Sequence, residues 1–176
     1  MSNTIAKRWD IFCRIVDNFG DIGVCWRLSQ QLALEHHLQV RLFIDDLASA
    51  SHIIPALNCE LKSQLINQVE ICTWQSADTT QPADVALETF SCEIPAAYLA
   101  AMQGISTWIN LEYLSAESWV AEFHARSSNN TKPARHFFFP GFTEATGGLI
   151  READIIQKNQ LIASKQQLEA DSLKAS

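Results

Sequence analysis

The stretch Asp17-Asn18-Phe19-Gly20-Asp21-Ile22-Gly23 constrains this chain more than any other, because it stands where one backbone periodicity gives way to another. Residues 8–16 before it carry the β-branched and aromatic bias of a largely buried strand. After it, Ile22, Cys25, Leu28, Ser29, Leu32 and Ala33 recur at three- and four-residue spacing, the stripe of an amphipathic helix. A strand, a loop with two glycines and a helix is where open α/β sheets hold ligands, because the carboxyl ends of the strands form a crevice there.

The same alternation continues along the chain. Apolar runs at residues 39–44, 69–74, 83–88 and 107–112 predict strands, with a last short one inside 136–142. A helix is expected over 47–57, ending or kinking near Ile54 because Pro55 cannot continue it. A second is expected over 94–102, where Pro95 suits a first turn, and a third from Ser115 as N-cap to about His124. Residues 76–82 and 125–135 are polar and read as loops. Strands alternating with helices imply an α/β fold, a Rossmann-like, mostly parallel sheet with helices on both faces. Residues 1–150 are expected to form that domain. In 151–176 the apolar positions Ile155, Ile156, Leu161, Ile162 and Leu168 are too sparse for a second core, and a polar helical extension is expected.

Composition narrows the chemistry. With 176 residues, 47% of them apolar, the chain is long enough for one ordinary core. The first eight residues lack a signal peptide's apolar region, and no apolar run approaches the roughly 18 residues of a membrane span, so a cytoplasmic protein without membrane contact is expected. The five cysteines form no C-x-x-C pair and read as reduced core thiols. A formal net charge of −7, without clustered Lys and Arg, argues against a nucleic-acid partner. A cationic ligand fits better.

The loop itself points the same way. Its spacing is not G-x-G-x-x-G, and Asp17 and Asp21 would repel a phosphate at short range. A carboxylate pair at a crevice suits holding a cation or removing a proton. Structural readings stand beside this: Asp21 as N-cap of a helix starting at Ile22, Asp17-Asn18 as turn chemistry, and Gly20 and Gly23 as positions of positive φ or close packing. Asp45, Asp46, Glu88 and Glu112 fall at the same sheet edge if the strands are parallel, where most acids are solvated or capping. The five histidines show no paired ligand spacing, so no metal site is expected. No G-x-S-x-G elbow is present, and Phe137, Phe138 and Phe139 read as packing.

Three ordered blocks go beyond a fold class. They are Trp9-Asp10-Ile11-Phe12-Cys13 with residues 16–24 and Trp26-Arg27-Leu28; Trp108-Ile109-Asn110-Leu111-Glu112-Tyr113-Leu114-Ser115-Ala116-Glu117; and residues 137–143 leading into 146–152. Together they closely resemble the amino-terminal part of the protein-arginine rhamnosyltransferases that modify bacterial translation elongation factor P. The resemblance implies the amino-terminal, acceptor-side half of a GT-B glycosyltransferase. It implies transfer of L-rhamnose from dTDP-β-L-rhamnose to an arginine of elongation factor P, with inversion and with neither metal nor cofactor. Asp17 and Asp21 match the family's two aspartates, and Asp17 is the first candidate for the base. Asn18, Phe19, Gly20, Gly23 and Tyr113 are candidates for contacting substrate. Family members continue into a second, donor-binding Rossmann-like domain, so a truncated chain with little activity alone is expected. The alternatives are a non-catalytic module that binds elongation factor P and, disfavoured by the acidic loop, a nicotinamide-dependent oxidoreductase half.

Overall fold

The computed structural model describes residues 7–16, 19–102, 106–128 and 130–155. Among them are eight strands: β1 (Arg8–Cys13), β2 (Gln39–Ile44), β3 (Ser63–Ile66), β4 (Val69–Thr73), β5 (Val85–Thr89), β6 (Thr107–Leu111), β7 (Ser127–Ser128) and β8 (Arg135–Phe138). They form one sheet in the order β3-β4-β2-β1-β5-β6-β8-β7. The six inner strands run parallel, and β3 and β7 close the edges antiparallel. The helices are α1 (Gly20–Leu34), α2 (Leu47–Ser51), α3 (Ala96–Met102) and α4 (Val120–Phe123), with a 3-10 turn at Trp74–Thr79.

Period-two alternation sorts the inner strands onto two cores. Ile11, Leu42, Ile71, Leu87 and Leu111 face α1 and α2, packing with Ile22, Cys25, Trp26, Leu47 and Ala50. Phe12, Phe43, Cys72, Ala86 and Trp108 face the other way, onto Ala77, Tyr98 and Met102. The Phe12 and Phe43 rings stack at 5.0 Å, and the Tyr98 ring meets Phe12 edge-on at 4.8 Å. Helices therefore cover both faces, as the alternation of elements predicts. Each buried side chain of this size stabilises the fold by about 1.5–3 kcal/mol. No helix among the described residues is long and apolar enough to cross a membrane.

An ion pair with a buried carboxylate interrupts the second core. Asp10 is fully buried and receives Arg41 through Nε at 2.6 Å and Nη2 at 2.7 Å. The Tyr98 hydroxyl and the Ala83 N–H also donate to it. Burial, with Asp10 alongside, pushes the Tyr98 hydroxyl well above its ordinary pKa.

Several boundaries differ from the sequence expectation. The first strand ends at Cys13, and Val16 is 78% exposed, because the chain turns off the sheet to reach the loop. Helix α1 begins at Gly20 and not at Ile22. Helix α2 stops at Ser51, well before Pro55. Strand β3 was not expected; it pairs only with β4, so one face suffices to hold it and its apolar signal is weak. Residues 76–79 lie in the 3-10 turn. The helix expected from Ser115 is confined to α4; Ser115 Oγ instead accepts the Glu117 N–H at 3.1 Å in a local turn. Cys59 is exposed, while the other four cysteines are buried thiols. The expected helical extension falls mostly on residues 156–176, outside the described residues.

Candidate active site

Parallel strands bring the carboxyl ends of β1, β5 and β6 to one edge, and α1 starts there. Asp21 lies in the first turn of α1, where a carboxylate complements the helix dipole. It is 1% exposed and does not act as the N-cap, which is Phe19. Its Oδ2 accepts the Val16 N–H at 3.0 Å, tying the end of the first strand segment to the helix. Its Oδ1 accepts the Tyr113 hydroxyl at 3.0 Å, tying in the segment that follows β6. The capping role considered from sequence is thus replaced by a bridge between two loops.

Tyr113 is itself held. Its ring stacks on Phe90, centroid to centroid at 4.2 Å with 12° between planes. Phe90 sits just after β5 with φ +54°, and Ser91 shares that φ. The left-handed region costs a bulky residue about 1–3 kcal/mol and persists only where its surroundings impose it. Here the Phe90 N–H donates to Leu111 O at 2.7 Å and the Ser91 N–H to Asn110 Oδ1 at 3.3 Å. Fully buried Asn110 is fixed in turn by Arg135 Nη2 at 2.9 Å and by its own amide donating to Glu112.

Asp21, Tyr113, Phe90 and Gly20 open onto one cleft of about 820 Å³. Its floor is sheet, Leu87, Ile109 and Leu111; one wall is α1, Val24 and Leu28; the other is the segment from Pro140 to Arg151. That segment is fastened to α1 by Arg27, which donates to both Glu152 carboxylate oxygens at 2.7 and 2.9 Å. Gln31 Nε2 donates to Arg151 O and the Ala153 N–H to Glu35. Two glycines shape its turn. A Cβ on Gly147 would stand 2.3 Å from the Phe138 ring, and Gly148 has φ +73°. The cleft is apolar along the sheet, and its charged lining is Asp21, Glu112, Arg151 and Arg27, the last paired with Glu152.

The other acids of this edge have separate tasks. Asp45 Oδ1 accepts the Ile15 N–H at 2.9 Å. Asp46 caps α2, accepting the Ser49 N–H and hydroxyl, and the hydroxyl first of all holds its carboxyl below the ordinary range. Glu88 turns into the opposite face, where it accepts from Trp108 Nε1 at 3.0 Å and the Glu93 N–H at 2.9 Å. Burial raises its pKa against the pull of Arg135, whose Nε lies 3.1 Å away but is not aligned for a hydrogen bond.

The expected substrate contacts divide accordingly. Gly20, Asp21 and Tyr113 share the cleft. Phe19 is 52% exposed and leans on His52, with ring centroids 5.9 Å apart, away from the cleft lining. Gly23 has open space where a Cβ would sit and no positive φ, so neither close packing nor backbone strain calls for glycine there. Asp17 and Asn18 lie outside the described residues. Phe90 had no signal in the sequence: a Phe-Ser pair is an unusual occupant of left-handed backbone, and only the fold places its ring on Tyr113.

Over residues 9–176 the chain matches the family model described as Elongation-Factor P (EF-P) rhamnosyltransferase EarP. Proteins named protein-arginine rhamnosyltransferase are similar to it. The one from Shewanella oneidensis is 46% identical over 161 residues, covering 85% of this chain and 41% of that protein. The one from Pseudomonas putida is 46% identical over 155 residues, with the same coverage of 85% and 41%. One from Neisseria meningitidis is 39% identical over 150 residues, covering 82% of this chain and 38% of that protein. The chain therefore spans about two fifths of the length of these relatives.

Proposed function

This chain belongs to the EarP family, and from that premise we propose that it forms the acceptor side of an inverting GT-B protein-arginine rhamnosyltransferase. The acceptor is an arginine of translation elongation factor P, and the donor is dTDP-β-L-rhamnose. The observation that carries this reading is Asp21, buried, held by Val16 and Tyr113 and lining the cleft.

A guanidinium has a pKa above about 12 and donates five N–H bonds in a planar fork. While charged it is a poor nucleophile. A carboxylate that grips it orients one nitrogen towards the anomeric carbon and takes the proton as the C–N bond forms, while the nucleoside diphosphate departs with the electron pair of the C–O bond. Asp17 and Asp21 supply this function as a pair: one accepts the proton and the other holds a second N–H.

Calorimetric titration of the chain with unmodified elongation factor P tests the reading. Asp21→Asn and Asp17→Asn each weaken binding by about tenfold, the loss of one charge-assisted hydrogen bond. Affinity unchanged in both variants, with the fold intact, would remove the acceptor role from this loop.

A further inference from the structure

We propose that Phe90 is a positioning residue: its ring, held in left-handed backbone, fixes the hydroxyl of Tyr113 on Asp21. The consequence for substrate rests on the reading of Asp21 as an acceptor carboxylate. Three observations lead to Phe90. Phe90 and Ser91 both have φ +54°, a conformation that side chains avoid unless something imposes it. What imposes it is specific, the bonds from the Phe90 N–H to Leu111 O and from the Ser91 N–H to buried Asn110. The product of that constraint is a flat stack, 4.2 Å and 12°, on a tyrosine whose hydroxyl reaches Asp21 at 3.0 Å.

Tyr113 needs such a support. It is 53% exposed and lies outside any helix or strand, so the contacts of its ring and hydroxyl select its χ1 among the staggered rotamers. Phe90 supplies a ring contact on the cleft side. Strain retained next to a buried carboxylate at a cleft mouth is the pattern of pre-organisation.

The test uses Phe90→Leu, which keeps an apolar side chain of similar bulk but removes the ring, and Phe90→Trp, which restores a ring. The chain has two tyrosines, so a Tyr98→Phe reference assigns the Tyr113 ring resonances without ambiguity. In Phe90→Leu these resonances lose the ring-current shift and average as those of a mobile side chain, and affinity for unmodified elongation factor P falls by roughly threefold to tenfold. In Phe90→Trp both return towards wild type. Tyr113 resonances in Phe90→Leu that still show a fixed ring overturn the proposal. Displaced resonances with unchanged affinity also overturn it as a functional device. Absence of binding by the wild-type chain removes the acceptor reading alone, and the resonances then still decide whether Phe90 fixes Tyr113.

Discussion

The hydroxyl of Tyr113 donates to Asp21 Oδ1 at 3.0 Å and joins two residues 92 positions apart. This bond joins the first turn of α1 to the segment after β6. Tyr113→Phe removes the donor and keeps the stack on Phe90. The variant is expected to unfold in urea within about 1 kcal/mol of wild type, the scale of one partly exposed hydrogen bond. Its affinity for an arginine acceptor is expected to fall about fivefold, as Asp21 loses the partner that fixes its orientation.

Asp10 and Arg41 provide the contrast, a pair remote from the cleft lining in which Asp10 is fully buried and Arg41 partly exposed. Asp10→Ala leaves the Arg41 guanidinium without its counter-charge and the Tyr98 hydroxyl without an acceptor. The expected loss is about 3 kcal/mol in urea unfolding, because the buried Tyr98 hydroxyl and Ala83 N–H lose their carboxylate acceptor and the partly exposed Arg41 its counter-charge. Acceptor binding by the remaining folded protein should be unchanged.

Asp46 makes stability depend on pH in a defined direction. Its carboxyl is held below the ordinary range by the Ser49 hydroxyl and then by the Ser49 N–H. A depressed folded pKa contributes stability that is complete above the unfolded value, near 3.9, and is lost as pH falls through the folded one. Asp46→Ala should therefore cost about 1 kcal/mol at neutral pH, the scale of an N-cap, and progressively less below about pH 4. Urea midpoints measured across that range for both proteins check the sign.

Gly147 carries the turn that forms one wall of the cleft. Gly147→Ala sets a methyl group 2.3 Å from the Phe138 ring, so the ring or the turn must move. Overpacking of this kind costs about 1–3 kcal/mol. Because Phe138 also lines the cleft, faster amide exchange is expected across the described part of the 140–151 wall, while β1 and β2 keep their protection.

The sequence made some of this legible. The run Gln39–Ile44 ends at two aspartates, and β2 has those bounds. The alternation of Ile11, Phe12 and Cys13 between the two cores follows from strand periodicity alone. Where long-range contacts decide, local pattern failed. The carboxylate of Asp21 looked like a cap by position, yet Tyr113, 92 residues away, takes its Oδ1. The burial of Asp10 could not be seen without Arg41 opposite it in the β1–β2 register. Edge strand β3 has too little apolar signal to declare itself, and the left-handed Phe90 sits where a turn would ordinarily hold glycine or asparagine.

The central claim is that Asp21, in the first turn of α1, acts with Asp17 to hold the acceptor's guanidinium. It is met most directly by nitrogen NMR of elongation factor P labelled at the side-chain nitrogens of its acceptor arginine, titrated with this chain. The account predicts that the guanidinium resonances separate and shift on binding, and that Asp17→Asn/Asp21→Asn double substitution abolishes the shift. A complex that forms with those resonances unmoved would contradict it.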